Sequence, residues 1–149
     1  MRRAGLALCF ACTAASGAAA GGPAADVLAV QATGAPGAYE LRVTVRSPDQ
    51  DCSRYASFWE VVRGDGTLAY RRILNHSHRD EQPFTREGGP VPIAAEEVVV
   101  VRAFLHPPGY GGAALRGSVR GGFKPWESAP REFAAGLAAA LPQPERCLY

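Results

Sequence analysis

The chain has 149 residues, 47% apolar and 20% charged, with 17 glycines and 12 prolines. This is enough for one hydrophobic core and too little for two ordinary domains; it is too apolar for a disordered chain, and its glycines lack the period of collagen. The formal net charge is +2, and where that charge lies decides what it means.

Met1-Arg2-Arg3 is followed by an uncharged run of small and apolar residues from Ala4 to Ala20. A short basic start, an apolar stretch around Leu6 to Ala15 and an Ala-x-Ala end at Ala18 and Ala20 predict a secretory signal peptide over residues 1–20, ahead of a single domain over 21–149. The competing reading, a buried N-terminal helix, fits these flanks less well. The twin arginines suit the Sec or the Tat route. Cys12 invites a lipid anchor, but the position three before it, where a lipoprotein signal wants an aliphatic residue, holds Cys9. No other apolar run approaches the roughly 20 residues of a membrane helix, so no transmembrane segment is expected in the mature chain.

Loss of the leader removes Arg2 and Arg3 and leaves 14 basic against 14 acidic residues. A neutral mature chain lacks the cationic surplus that nucleic-acid binding requires, so a nucleic-acid partner is not expected. The leader also takes Cys9 and Cys12, leaving Cys52 and Cys147. In a periplasmic or secreted protein such a pair predicts a disulfide, worth up to about 4–5 kcal/mol for so long a loop. A catalytic Cys52 would need a free thiol and a nearby base, and export disfavours the former.

Val27 to Ala32 is the first expected strand, and Gly34-Ala35-Pro36-Gly37 turns the chain. Tyr39, Leu41, Val43 and Val45 then alternate with Glu40, Arg42, Thr44 and Arg46, the period of a half-buried antiparallel strand. An aromatic-rich strand over 55–63 and a strand over 67–74 flank Asp65-Gly66, a hairpin signal that also accounts for the Arg63-Gly64-Asp65 triplet. Residues 75–90 read as a long polar loop. A short strand at 91–94 precedes Val98 to His106, apolar on both faces near its start and therefore central. Pro107 to Gly112 turns the chain, residues 113–123 pair back, and a short helix capped by Ser128 runs from about Pro130 to Ala140. Six or seven strands and one terminal helix make an all-β protein, an antiparallel β-sandwich of immunoglobulin or fibronectin type III kind, with Trp59 in its core.

The histidines are His76, His78 and His106. In extended backbone an His-x-His pair puts both imidazoles on one side, and His106 from another strand end would complete a copper or zinc site, with Glu81 or Asp80 as a further ligand or an orienting group. The bland alternative has all three simply bonding loop backbone. Arg71, Arg72, Arg79 and Arg102 surround them, with Asn75, Gln82, Arg86 and Glu87 nearby. These arginines form either an anion pocket or a structural network, Arg71 or Arg72 with Glu60 and Arg102 with Glu97 or Glu81; the network is the simpler account. Tyr110 is a ligand-contact candidate at a loop tip, or it packs onto Pro107 and Pro108. No nucleophile elbow, phosphate loop or identifiable carboxylate pair is present, so catalysis is not expected.

The segments Cys52-Ser53-Arg54-Tyr55, Phe58-Trp59-Glu60-Val61, Tyr70 to Leu74, His76-Ser77-His78 and Glu81 to Arg86 resemble an uncharacterised family of small exported bacterial proteins. Gly109-Tyr110-Gly111 and Arg116-Gly117-Ser118 extend the resemblance over most of the mature chain. It implies export and a bacterial source, and it brings no activity or site residue with it. The expected function is that of an exported, non-catalytic binding module, whose 75–90 loop and 107–112 turn recognise an unknown small ligand or protein. The alternative is a periplasmic copper or zinc binder using the three histidines.

Overall fold

In the computed structural model, residues 22–127, 130 and 132–149 are described; the expected leader and the Ser128 cap lie outside them. The strict alternation of residues 39–46 gives β2 (Ala38–Arg46), whose Tyr39, Leu41, Val43 and Val45 are buried. It is the middle strand of an antiparallel three-stranded sheet, between β1 (Asp26–Ala35) and β5 (Phe84–Val91). The second sheet is antiparallel and five-stranded, in the order β4 (Leu68–Ile73), β3 (Tyr55–Arg63), β6 (Val99–His106), β7 (Leu115–Ser118), β8 (Gly122–Pro125). The two sheets form a β-sandwich. Trp59, Val61, Val99, Val101, Ala103 and Leu105 pack against Leu41, Val43, Val45, Phe84 and Val91 between them.

Strand β6 is central, as its two apolar faces foretell, and so is β3, which is buried from Tyr55 to Val62. The outward faces of both carry Phe58, Glu60, Val62, Val100 and Arg102. A protein surface does not leave such residues to solvent, and here the last part of the chain covers them: Trp126, Phe133, Ala134 and Leu137 pack over Val62 and Val100. The molecule thus has a third layer, made of a nearly irregular strap.

That strap corrects the expected helix. Among the described residues only a 3-10 turn forms, over Ala135–Ala139, entered through Ala134 in the left-handed region at φ 47°. The carbonyls of Phe133 and Ala134, which an α-helix over 130–140 would use internally, and those of Leu137 and Ala140 in its last turn, accept from arginine side chains. Two further corrections concern residues 75–94. Strand β5 occupies the end of the expected loop, and beyond Val91 the expected strand at 91–94 is absent. Eight strands result among the described residues. The Gly-Gly-Pro in β5 is tolerated because this is an edge strand, where a missing N–H costs no ladder bond. Gly88 is required there for a different reason: a Cβ would lie 2.9 Å from the Trp59 ring and 2.7 Å from the Tyr70 hydroxyl.

The Cys52–Cys147 disulfide is present and spans 95 residues. It fastens the end of the strap to the loop before β3.

Candidate functional site

Among the described residues two clusters of polar side chains are buried. The first lies under the strap. Glu60 is 0% exposed. Its Oε2 accepts from Arg71 Nε and Nη2 at 3.0 and 2.6 Å, and its Oε1 accepts from Arg102 Nε at 2.8 Å and the Tyr110 hydroxyl at 2.7 Å. Arg71 also donates to the carbonyls of Leu137, Ala140 and Pro142, and Arg102 to those of Phe133 and Ala134. The guanidinium of Arg71 sits 4.0 Å from the Phe58 ring centroid, that of Arg102 3.6 Å from Tyr110. Burial, together with the Glu60 charge and hydrogen bond, pushes the Tyr110 phenol far above its ordinary value.

This cluster is a clamp that holds the strap: two guanidiniums share one carboxylate, and their further bonds go to backbone carbonyls. Arg71 pairs with Glu60 as the network reading expects; Arg102 joins the same carboxylate, while Glu97 goes to Arg63 and Glu81 to Arg86. Tyr110 turns inward instead of presenting its ring at a loop tip. Arg72, on the opposite face of β4, donates to Glu87 O at 2.9 Å and ties the edge of one sheet to the other. Arg79 is exposed, with Asp80 Oδ2 at 3.2 Å, and takes no part in either cluster.

The second cluster follows β4. His76, His78 and Glu81 bring one ligand atom each within 4.8 Å of one another. The backbone of His78 is pinned: its N–H donates to Asp49 Oδ2 at 2.8 Å and its carbonyl accepts from Gln82 Nε2 at 3.1 Å. Asp49 is itself fixed by Ser47 Oγ and the Ala56 N–H, and Gln82 Oε1 by the Ser47 N–H. The His78 ring lies flat on Phe84, centroids 4.0 Å apart, and His76 is stacked between His78 and Tyr149. Residues 148 and 149 are held there by Leu148 N–H to Asn75 O at 2.7 Å and Ser77 N–H to Tyr149 O at 3.4 Å.

Among the described residues, Arg54 Nε, Trp59 Nε1 and Ser77 Oγ are single buried atoms without a partner, whereas His78 lacks one at both ring nitrogens. His78 is 2% exposed. Asp49 Oδ2 stands 3.8 Å from Nδ1 and Glu81 Oε1 3.8 Å from Nε2, beyond hydrogen-bond reach. Burial above all, then the positive charges of Arg86 and His76, holds this imidazole neutral with a pKa of about 4, against the opposing pull of Asp49 and Glu81. A neutral imidazole keeps a lone pair, which is what a metal ligand needs. Its carboxylate neighbours fall on opposite ring nitrogens, Asp49 toward Nδ1 and Glu81 toward Nε2. That is the arrangement in which one carboxylate orients the ring and the other shares the ion.

His106 stands apart from this group. It is exposed at the end of β6, its ring edge-on to Tyr55 at 6.2 Å. The third member is Glu81, which shares the loop with the histidine pair. Nothing in the sequence ties Asp49 to the histidines; its contact with the His78 N–H comes from the fold.

A cavity of about 560 Å3 opens beside the clamp, lined in part by Pro108, Tyr110, Ala114, Trp126 and Phe133. Among the described residues no helix is long and apolar enough to cross a membrane. No protein-family model matches the chain, and no curated protein or solved structure is significantly similar to it.

Proposed function

We propose that this is an exported, non-catalytic β-sandwich protein that binds a divalent transition-metal ion, zinc or copper, through His76, His78 and Glu81. The observation that carries the reading is the orphaned imidazole of His78. Burying a polar ring with no partner costs about 1–3 kcal/mol, and a ligand that accepts its lone pair recovers that cost. Two imidazoles and a carboxylate suit zinc or copper(II), and with three protein donors the ion keeps an open position. Ligand atoms about 2.1 Å from a tetrahedral ion lie about 3.4 Å apart. Binding therefore draws the half-buried His76 and the exposed Glu81 toward the fixed His78.

Export rests on the basic-then-apolar start of the chain and on the disulfide, which persists in oxidising compartments. Titration of the purified protein with zinc and copper(II), against a His76→Ala/His78→Ala double variant, tests the site. Saturable binding to the wild type and its loss in the variant are expected; equal binding by both disproves the reading. A second reading, an apolar small molecule held beside Trp126 and Phe133, is favoured by the cavity there. Quenching of tryptophan fluorescence by apolar probes, lost in Trp126→Ala, is its test.

A further inference from the structure

Glu81 serves two masters. The carboxylate oxygen that faces His78 Nε2 at 3.8 Å, Oε1, is also the one contacted by Arg86 Nη2. Arg86 lies on β5; its Nη1 donates to Thr85 O at 2.9 Å and its guanidinium is 5.5 Å from the Phe84 ring centroid. Phe84 is the ring on which His78 rests. A permanent cation thus stands beside the only anionic member of the candidate site and pairs with the atom an incoming ion would need.

Resting on the metal-site reading, we infer that Arg86 is the resident cation of the site, and that a divalent ion binds by displacing its guanidinium from Glu81. The parts differ in their freedom to move. His78 is fixed by its backbone bonds and its packing. Glu81 has a side chain 52% exposed and Arg86 one 28% exposed, so both can swing. As Glu81 Oε1 turns to the ion, Arg86 keeps Thr85 O and gains water. After the exchange Glu81 faces three positive charges where it had faced one, with Asp49 on the other side of His78 as the second nearby anion, so Arg86 opposes the bound ion as well as competing for its ligand. Arg86 accordingly sets the affinity at a moderate level and makes release easy, which suits an ion that is handed on and does not suit a permanent structural ion.

Chelator competition with zinc, on the disulfide-bonded protein, tests this with three chains: wild type, Arg86→Gln and Arg86→Lys. Glutamine can still bond Glu81 but carries no charge, so it should tighten binding by about tenfold or more, the scale on which outer groups tune metal sites. Lysine should stay within about threefold of wild type, because the competing charge remains. Zinc bound by the wild type but no tighter by Arg86→Gln overturns the displacement while leaving the metal site intact. Zinc bound no better by wild type than by His76→Ala/His78→Ala removes both. A readout that needs no variant is the Arg86 guanidinium N–H resonance, which should shift and broaden on zinc addition as the freed N–H groups exchange with water; a resonance unchanged at saturation refutes the exchange.

Discussion

The two buried polar clusters are built from similar residue types and solve opposite problems. Under the strap, one carboxylate and two guanidiniums bond one another, and the guanidiniums go on to bond five backbone carbonyls, so every polar side chain there has partners. In the loop after β4, the backbone of His78 is held as firmly as any core residue while its ring bonds to nothing. A satisfied cluster specifies a structure. An unsatisfied one, maintained at a cost by rigid surroundings, specifies a ligand.

The sharpest way to break this contrast is Glu60→Gln. Removing one partner from a buried ionic triad strands the others, so a loss of about 3–5 kcal/mol is expected by urea denaturation; a loss below about 1 kcal/mol would mean the clamp is ornamental. Reduction of Cys52–Cys147 comes next. It should lower stability by about 2–5 kcal/mol, since the bridge closes a 95-residue separation, and comparing denaturation with and without reductant measures it. His78→Leu should do the opposite. Replacing an unpartnered buried ring with an apolar one of similar size should raise stability by about 1 kcal/mol while abolishing metal binding. Destabilisation by this variant would show that the ring has partners in solution.

The two clusters should also answer pH from opposite sides. His78 is held at about 4 in the fold against about 6.5 in the unfolded chain. Its neutral form therefore contributes stability that is present above pH 6.5 and is lost as pH falls toward 4. The difference in stability between wild type and His78→Leu should widen across that window. Tyr110 is raised, so its contribution is present below the ordinary tyrosine value near 10 and is lost as pH climbs beyond it. Tyr110→Phe should flatten the alkaline limb of the stability curve, and an unchanged limb would remove Tyr110 from the clamp's account.

Most of the sandwich is written in period-two alternation, and Tyr39 to Arg46 or Val98 to His106 could hardly form anything else. The final layer is not. Residues 130–140 have helical spacing, and the competition from Arg71 and Arg102 for their carbonyls belongs to tertiary structure, which no local pattern carries. Strand β5 is hidden for a similar reason: Gly88, Gly89 and Pro90 look like loop until Tyr70 and Trp59 are placed above Gly88. At the candidate site the His-x-His pair is legible, while His106 misleads, because being at a strand end says nothing about which strand ends meet. Glu81 is legible as one of two acidic candidates beside the pair, with Asp80, and Asp49 acquires its part by touching the backbone of a residue 29 positions later.

The strap has a consequence for biogenesis. Glu60, Arg71 and Arg102 are translated long before the carbonyls that complete their coordination, so a nascent sheet would carry a bare ionic face until residues 133–142 have emerged. The outer sheet face is therefore sealed, and the sulfur crosslink closed, only once residues 133–147 are free to fold back.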